Sequence, residues 1–388
     1  MKDLRSGVVK PSKTFRPYSK EQRRSGVMLA VKRNRIEFID IAKCIAIIMV
    51  VLGHTATNDE LLSSNLHLIY RILYSIHMPL FFFLTGMSIR PKGLQSLKAW
   101  KDFLHKMILT IVIPYLVWAL IYCQFSIDNT GRILYGSWEM LGKAGSMTSL
   151  WYLSCLFIAR IMIAGIITMK EHFHVGGVKA LLVPSALCMI IGVVLPKIEI
   201  GYPWELQVAF VATGFILLGI IFRINIIELS VQKGWVLFSL LLGSVLFYAL
   251  TLLLRKDGFP IMLMCKGSYG SLFPALACAV FGGFAVLIVS MLLKRMADEW
   301  LPMADLKPLV YLGQNTIGVF LLHKVMLQSF FIPLLESAMT SAPMVLVRCI
   351  AAVIAIFVSI VLCWVIELYI PELMGVFSKD RLMPEKNK

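Results

Sequence analysis

Three ionisable residues fall on one stripe of an otherwise apolar run: Asp40, Lys43 and His54, in the segment 35–54. At ~100° per residue of an α-helix they sit within about 60° of one another around the axis, with Lys43 and His54 ~16 Å apart along it. Histidine is the side chain suited to take a proton from a hydroxyl near neutral pH. Ionisable groups in an apolar segment cost several kcal/mol and usually face a cavity or a pathway. A bland alternative pairs Lys43 with Asp40 and leaves His54 in interfacial water. Three charges on one stripe favour a site.

The elements that must carry this stripe follow from composition. Of 388 residues, 59% are hydrophobic and 15% charged, and the mean hydropathy is +0.80. A water-soluble domain is about 45–50% apolar and about 25% charged, so a soluble globule is excluded. Apolar runs of ~20 residues cross a ~30 Å hydrocarbon core, and about ten can be placed: 36–57, 66–89, 103–125, 149–169, 178–196, 203–224, 235–254, 272–293, 308–332 and 344–370. The expected fold is all-α, a polytopic integral membrane protein of about ten transmembrane helices. Residues 1–35 read as a basic, disordered cytoplasmic tail, 36–370 as one membrane domain and 371–388 as a short cytoplasmic tail.

The +16 charge would invite a nucleic-acid reading in a soluble protein, but position decides otherwise. With the N-terminal tail inside, 27 of the 38 basic residues lie on the inner side and six in outer loops, so both termini are expected in the cytoplasm. The setting is the cytoplasmic (inner) cell membrane, with the bilayer as partner and no nucleic acid. Five basic residues remain at span depth: Lys43, Arg71, Arg160, Lys324 and Arg348. The eight cysteines mostly sit in apolar stretches without paired spacing, and read as small core residues. The seven histidines show no metal-ligand spacing, and no phosphate loop, dinucleotide fingerprint or GxSxG elbow occurs.

Further candidates carry weaker signals. Arg90 and Lys92 close the second span on the inner side, either as ordinary anchors or as phosphate ligands. His323 is expected near the outer end of the ninth span, at a depth like that of His54, where it could orient an acceptor. Glu205, beside Trp204, could bind sugar hydroxyls or serve as an N-terminal helix acid. Trp151 reads as an interfacial residue or a sugar platform. Arg160, in mid-span, requires a partner or an aqueous cavity, whereas Arg71 can snorkel outward. His77 suits a core position as well as a site.

Asp40-x-x-Lys43 followed by His54 in a VVLGH run, then IHMPLFFFLTGMSIR ending at Arg90, resembles membrane acyltransferase family 3. LWYLSCLF from Leu150 and LGQNTIGVFLLH ending at His323 extend the resemblance in the same order. These relatives are bacterial integral-membrane O-acetyltransferases acting on glycans. The resemblance implies transfer of an acyl group, usually acetyl, from cytoplasmic acyl-coenzyme A to a hydroxyl of a cell-surface glycan or a lipid-linked saccharide. Lys43 and His54 match the basic residue and histidine of the family's Arg/Lys-x10-His motif. Arg90 and Lys92 match a basic pair, the second member departing from the usual Arg and losing its bidentate fork.

The resulting expectation is an acetyl-CoA-dependent O-acetyltransferase. His54 is its general base, Asp40 and Lys43 support the catalytic stripe, and Lys43, Arg90 and Lys92 hold the acyl-CoA donor. His323, Glu205, Arg160 and Trp151 are the acceptor-binding candidates. No metal is expected, and polysaccharide-assembly proteins are candidate partners. The rival is a transporter or exporter of a glycan or small anion that uses the intramembrane charges as a proton path, and should show internal symmetry or broken helices. An accessory subunit that only binds lipid-linked sugar would leave the Arg90/Lys92 pair unexplained.

Overall fold

A computed structural model describes residues 36–55, 66–253, 262–299 and 305–376. The two tails read from the sequence, at 1–35 and from 377 onward, lie outside the described residues. Backbone polar groups cannot be left unpaired in hydrocarbon, so apolar runs of this length close their hydrogen bonds within helices. The described residues accordingly hold helices and no β-strand.

In chain order the helices are α1 (Glu37–Gly53), α2 (Leu66–Ser88), α3 (Leu97–Met107), α4 (Ile113–Tyr122), α5 (Thr130–Tyr135), α6 (Trp138–Lys143), α7 (Trp151–His172) and α8 (Leu182–Val194). They continue as α9 (Leu206–Ser230), α10 (Gly234–Leu253), α11 (Leu272–Glu299), α12 (Lys307–Gln314), α13 (Thr316–Val325), α14 (Ile332–Ala338) and α15 (Met344–Tyr369). Among the described residues, eight continuous helical stretches are long and apolar enough to cross a membrane. The protein is therefore a multi-pass membrane protein. The other two expected spans fall on shorter helices: α1, with 17 residues and three charges, and the stretch Val178–Val194.

Among the expected spans whose boundaries differ, two bear on the site, while the sixth and eighth run on to Ser230 and Glu299. The third begins earlier, at Leu97, because the Ser96 side chain caps the Ala99 amide at 3.1 Å and starts an amphipathic turn before the apolar run. The ninth, expected over 308–332, is broken at Asn315, whose side chain bonds the Tyr311 carbonyl at 3.0 Å. It then runs on through a π turn, Met326–Phe331, to Ala338. His323 consequently lies inside a helix of 23 residues and not near its end. A second π turn, Ile108–Val112, joins α3 to α4.

The core is built around α1. Ile41, Ala42, Ala46, Ile47 and Val51 are fully buried, and α2, α11, α12, α13 and α15 pack on it. Large apolar side chains on α10 and α15, among them Phe238, Phe247, Phe357 and Trp364, instead stand exposed, as lipid-facing surfaces require. Between α2 and α9, Gly86 and Gly219 meet backbone to backbone, and α12 crosses α1 where Gly313 lies against the Asp40 carbonyl. Of the cysteines, six are buried, whereas Cys349 is exposed on α15.

Candidate active site

His54 follows the last turn of α1, its amide still bonded to the carbonyls of Val50 and Val51, both at 3.1 Å. Its side chain is half-buried. Among the described residues its imidazole makes no hydrogen bond, so both ring nitrogens remain for an incoming group. Tyr74 meets it edge-on at 6.4 Å, and Tyr70 stacks against Tyr74 at 3.9 Å. Gly53 makes room for this, since a Cβ there would stand 2.9 Å from the Tyr74 ring.

The nearest ring on the other side is His323, 5.1 Å from His54 between centroids. His323 is fully buried. Its Nδ1 donates to the carbonyls of Phe320 at 2.8 Å and Val319 at 3.1 Å. Carbonyls only accept, so the proton sits on Nδ1 and Nε2 carries a lone pair. That Nε2 is buried and has no partner among the described residues. The next residue, Lys324, is also buried, and its ammonium donates to the Thr148 hydroxyl. His77 is buried too, with Nδ1 tied to the Leu73 carbonyl at 2.6 Å. The arrangement offers one accessible imidazole backed by a second whose free nitrogen can share its charge.

The α1 terminus that carries His54 is held from α15. Arg348 donates to the Thr55 carbonyl and pairs with Glu336 at 2.8 Å. A guanidinium at a helix C-terminus satisfies an orphan carbonyl and complements the dipole. Arg348→Leu is expected to let this turn move and to lower kcat about tenfold, roughly the ~1.5 kcal/mol of one charge-assisted hydrogen bond. Donor KM should stay constant, and steady-state kinetics of the purified variant checks the split.

At the opposite end of α1, Asp40 is buried and Lys43 approaches it at 3.9 Å, while Gln314 donates to the same carboxylate at 3.4 Å. Past α2, Arg90 is exposed and stands within charge range of Arg223. Arg223 donates to the Ile89 carbonyl at 3.3 Å and keeps a buried, unbonded Nε. Lys92 lies beside Glu171, whose carboxylate accepts the Gly93 amide at 2.9 Å and pins this loop to the end of α7. The structure thus brings Arg90 within charge range of Arg223 and pairs Lys43 with Asp40.

The other expected acceptor residues, Glu205, Trp151 and Arg160, make no hydrogen bond, ion pair or ring contact with His54 among the described residues. The Glu205 carboxylate is buried and accepts the Trp138 amide at the start of α6. Trp204 and Glu205 both hold the left-handed backbone conformation, φ 52° and 56°, which is costly outside glycine and turns the chain into α9. Trp151 is buried at the start of α7 against Tyr152. Arg160 is half-buried, nine residues further along the same helix, and faces Tyr152, which also meets Thr85. Sequence reasoning missed Tyr74, Lys324, Arg348 and Arg223 as site residues; the presence of Lys324 and Arg348 at span depth was the available signal.

Beneath the paired histidines, a cavity of about 20 Å³ is lined by Ile47, Met78, Phe81, Tyr152, Thr316 and Phe320, among others. A larger crevice of about 260 Å³, between α2, α9 and α11, is lined only by residues such as Leu80, Phe215 and Phe284 and offers no group for chemistry.

A family model described as an acyltransferase domain matches residues 36–368. The chain belongs to acyltransferase family 3. A comparison with curated proteins finds no match. This membrane acyltransferase therefore places its histidine pair, its Asp40–Lys43 pair and its Arg90–Arg223 pair all within the matched region.

Proposed function

We propose that this acyltransferase takes an acetyl group from acetyl-CoA bound at its Arg90 end, on the cytoplasmic side, and places it on a glycan or lipid-linked sugar hydroxyl at its His54 end, on the outer side of the cell membrane. One observation carries the reading: the accessible, unbonded His54 imidazole lies 5.1 Å from a buried histidine whose Nε2 is free. His54 takes the hydroxyl proton as the sugar oxygen attacks the thioester carbonyl carbon. The Nε2 of His323 shares the positive charge that develops on the pair. Collapse of the tetrahedral intermediate breaks the C–S bond, and the departing thiolate takes the proton from His54 as free CoA.

Arg90 and Arg223 are the donor's phosphate ligands, their guanidinium forks suited to that geometry. Lys92 adds charge beside them. Lys43, held by Asp40, stands further inside, below the route of the pantetheine arm. Arg160, Thr85 and Tyr152 continue that route toward the small cavity. Glu205 and Trp151 act indirectly, by fixing the loops that surround the acceptor.

The test is transfer of label from radioactive acetyl-CoA to a cell-envelope glycan extract by the protein in nanodiscs. Arg90→Ala and Arg223→Ala are each expected to raise KM for acetyl-CoA about tenfold or more, the size of a lost charge-assisted hydrogen bond, with kcat little changed. The break at Asn315 favours a second reading, a transporter with a discontinuous helix. Glycan flux without any consumption of acetyl-CoA would establish that reading and exclude the first.

A further inference from the structure

Lys324 is the buried cation whose pairing stands apart. Arg348 has Glu336 at 2.8 Å, Lys43 has Asp40 at 3.9 Å and Lys294 has Glu37 at 3.2 Å. Lys324 is 8% exposed, and its ammonium meets a neutral hydroxyl, that of Thr148. No carboxylate lies within ion-pair distance of it among the described residues. A desolvated ammonium with only a hydroxyl partner is costly, and such groups at membrane depth pair with a counter-charge or serve a substrate.

Its direction narrows the choice of counter-charge. Thr148 belongs to the turn Ser146–Leu150, which opens α7, and Cys265, the other neighbour within charge range, belongs to the loop before α11. Both loops lie at the His54 end. The small cavity proposed to receive the thioester lies a turn back along α13, at Phe320. Lys324 thus stands one turn beyond that cavity, with its ammonium against the turn that opens α7. It is also close enough for its charge to act on both imidazoles.

We propose that the acceptor is an acidic saccharide, whose carboxylate or phosphate pairs with Lys324 while its hydroxyl is presented to His54. The inference rests on the acyl-transfer reading for the hydroxyl's fate, but the ion pair is a binding event and can be measured without turnover. Tyr70 and Tyr74 place aromatic rings next to the same position. Thr148 keeps the ammonium oriented when the site is empty.

Binding of radiolabelled 4-nitrophenyl β-glucoside, 4-nitrophenyl β-glucuronide and 4-nitrophenyl β-glucoside 6-phosphate to the full chain in nanodiscs tests this. Wild type should bind at least one acidic probe tenfold or more tightly than the neutral glucoside, as a charge-assisted hydrogen bond implies. The glucuronide and the phosphate arms separate a carboxylate from a phosphate. Lys324→Gln should bring the ratio close to one, and Lys324→Arg should restore most of it. Equal or undetectable binding of all three probes by wild type overturns the proposal, as does a ratio that survives Lys324→Gln. A uniform fall in kcat with no binding preference also overturns it, assigning Lys324 to the tetrahedral oxyanion. Acetyl-CoA consumption by the same preparation is read separately: acidic preference without consumption sinks the acyl-transfer reading alone.

Discussion

His54→Ala is expected to lower acyl transfer by at least about 100-fold in kcat, the lower end of what a positioned general base contributes. KM for acetyl-CoA should change little, because the proposed donor site, at Arg90 and Arg223, lies at the far end of the helices. The fold should survive: His54 follows α1, is half-buried, and its ring anchors no hydrogen bond among the described residues. Transfer assays on protein that elutes from gel filtration like wild type would check this. Undiminished transfer in the alanine variant would remove His54 from the chemistry and leave His323, with its free Nε2, as the base.

Gly86→Ala should produce one of the largest losses of stability of any methyl addition in the bundle core. A Cβ at Gly86 would stand 2.0 Å from the Ile216 carbonyl oxygen, and the reciprocal contact, Gly219 to the Phe83 carbonyl oxygen, is 2.1 Å. Both obstacles are backbone, so no rotamer change can relieve them and α2 must separate from α9. Overpacking of this kind costs about 1–3 kcal/mol, and helix pairs in membranes depend on such close small-residue contacts. Gly165→Ala is the control, since nothing lies within 4 Å of its Cβ; the higher helix propensity of alanine should leave it neutral or stabilise it by up to about 1 kcal/mol. Thermal unfolding in detergent, followed by tryptophan fluorescence, should show a lowered midpoint for Gly86→Ala and none for Gly165→Ala. Equal midpoints would mean that α2 and α9 do not cross at these glycines.

Gly313 connects stability to the site. Its Cβ position lies 1.8 Å from the Asp40 carbonyl oxygen, so α12 and α1 touch where Asp40 pairs with Lys43. The LGQNTIG stretch is thus a packing joint and a break in the helix, as well as the segment that delivers His323. Its sequence shows glycine and asparagine, but not which backbone they must approach.

The sequence alone determined whatever depends on local properties. Apolar runs of sufficient length must form membrane helices, because hydrocarbon offers no partner to an open backbone. The spacing of Asp40, Lys43 and His54 sets them on one face because helical geometry is periodic. The order of short motifs pointed to the family that the match over 36–368 establishes. Tertiary structure decided the rest, because contact between helices depends on crossing points that no single segment encodes. It put His323 beside His54, tied Arg348 to the end of α1 and set Arg223 next to Arg90. It also turned Glu205, which the sequence offers as a sugar ligand, inward to cap α6. Residues distant in the chain acquire a joint function only when packing removes water from between them and leaves each buried polar group to find its partner.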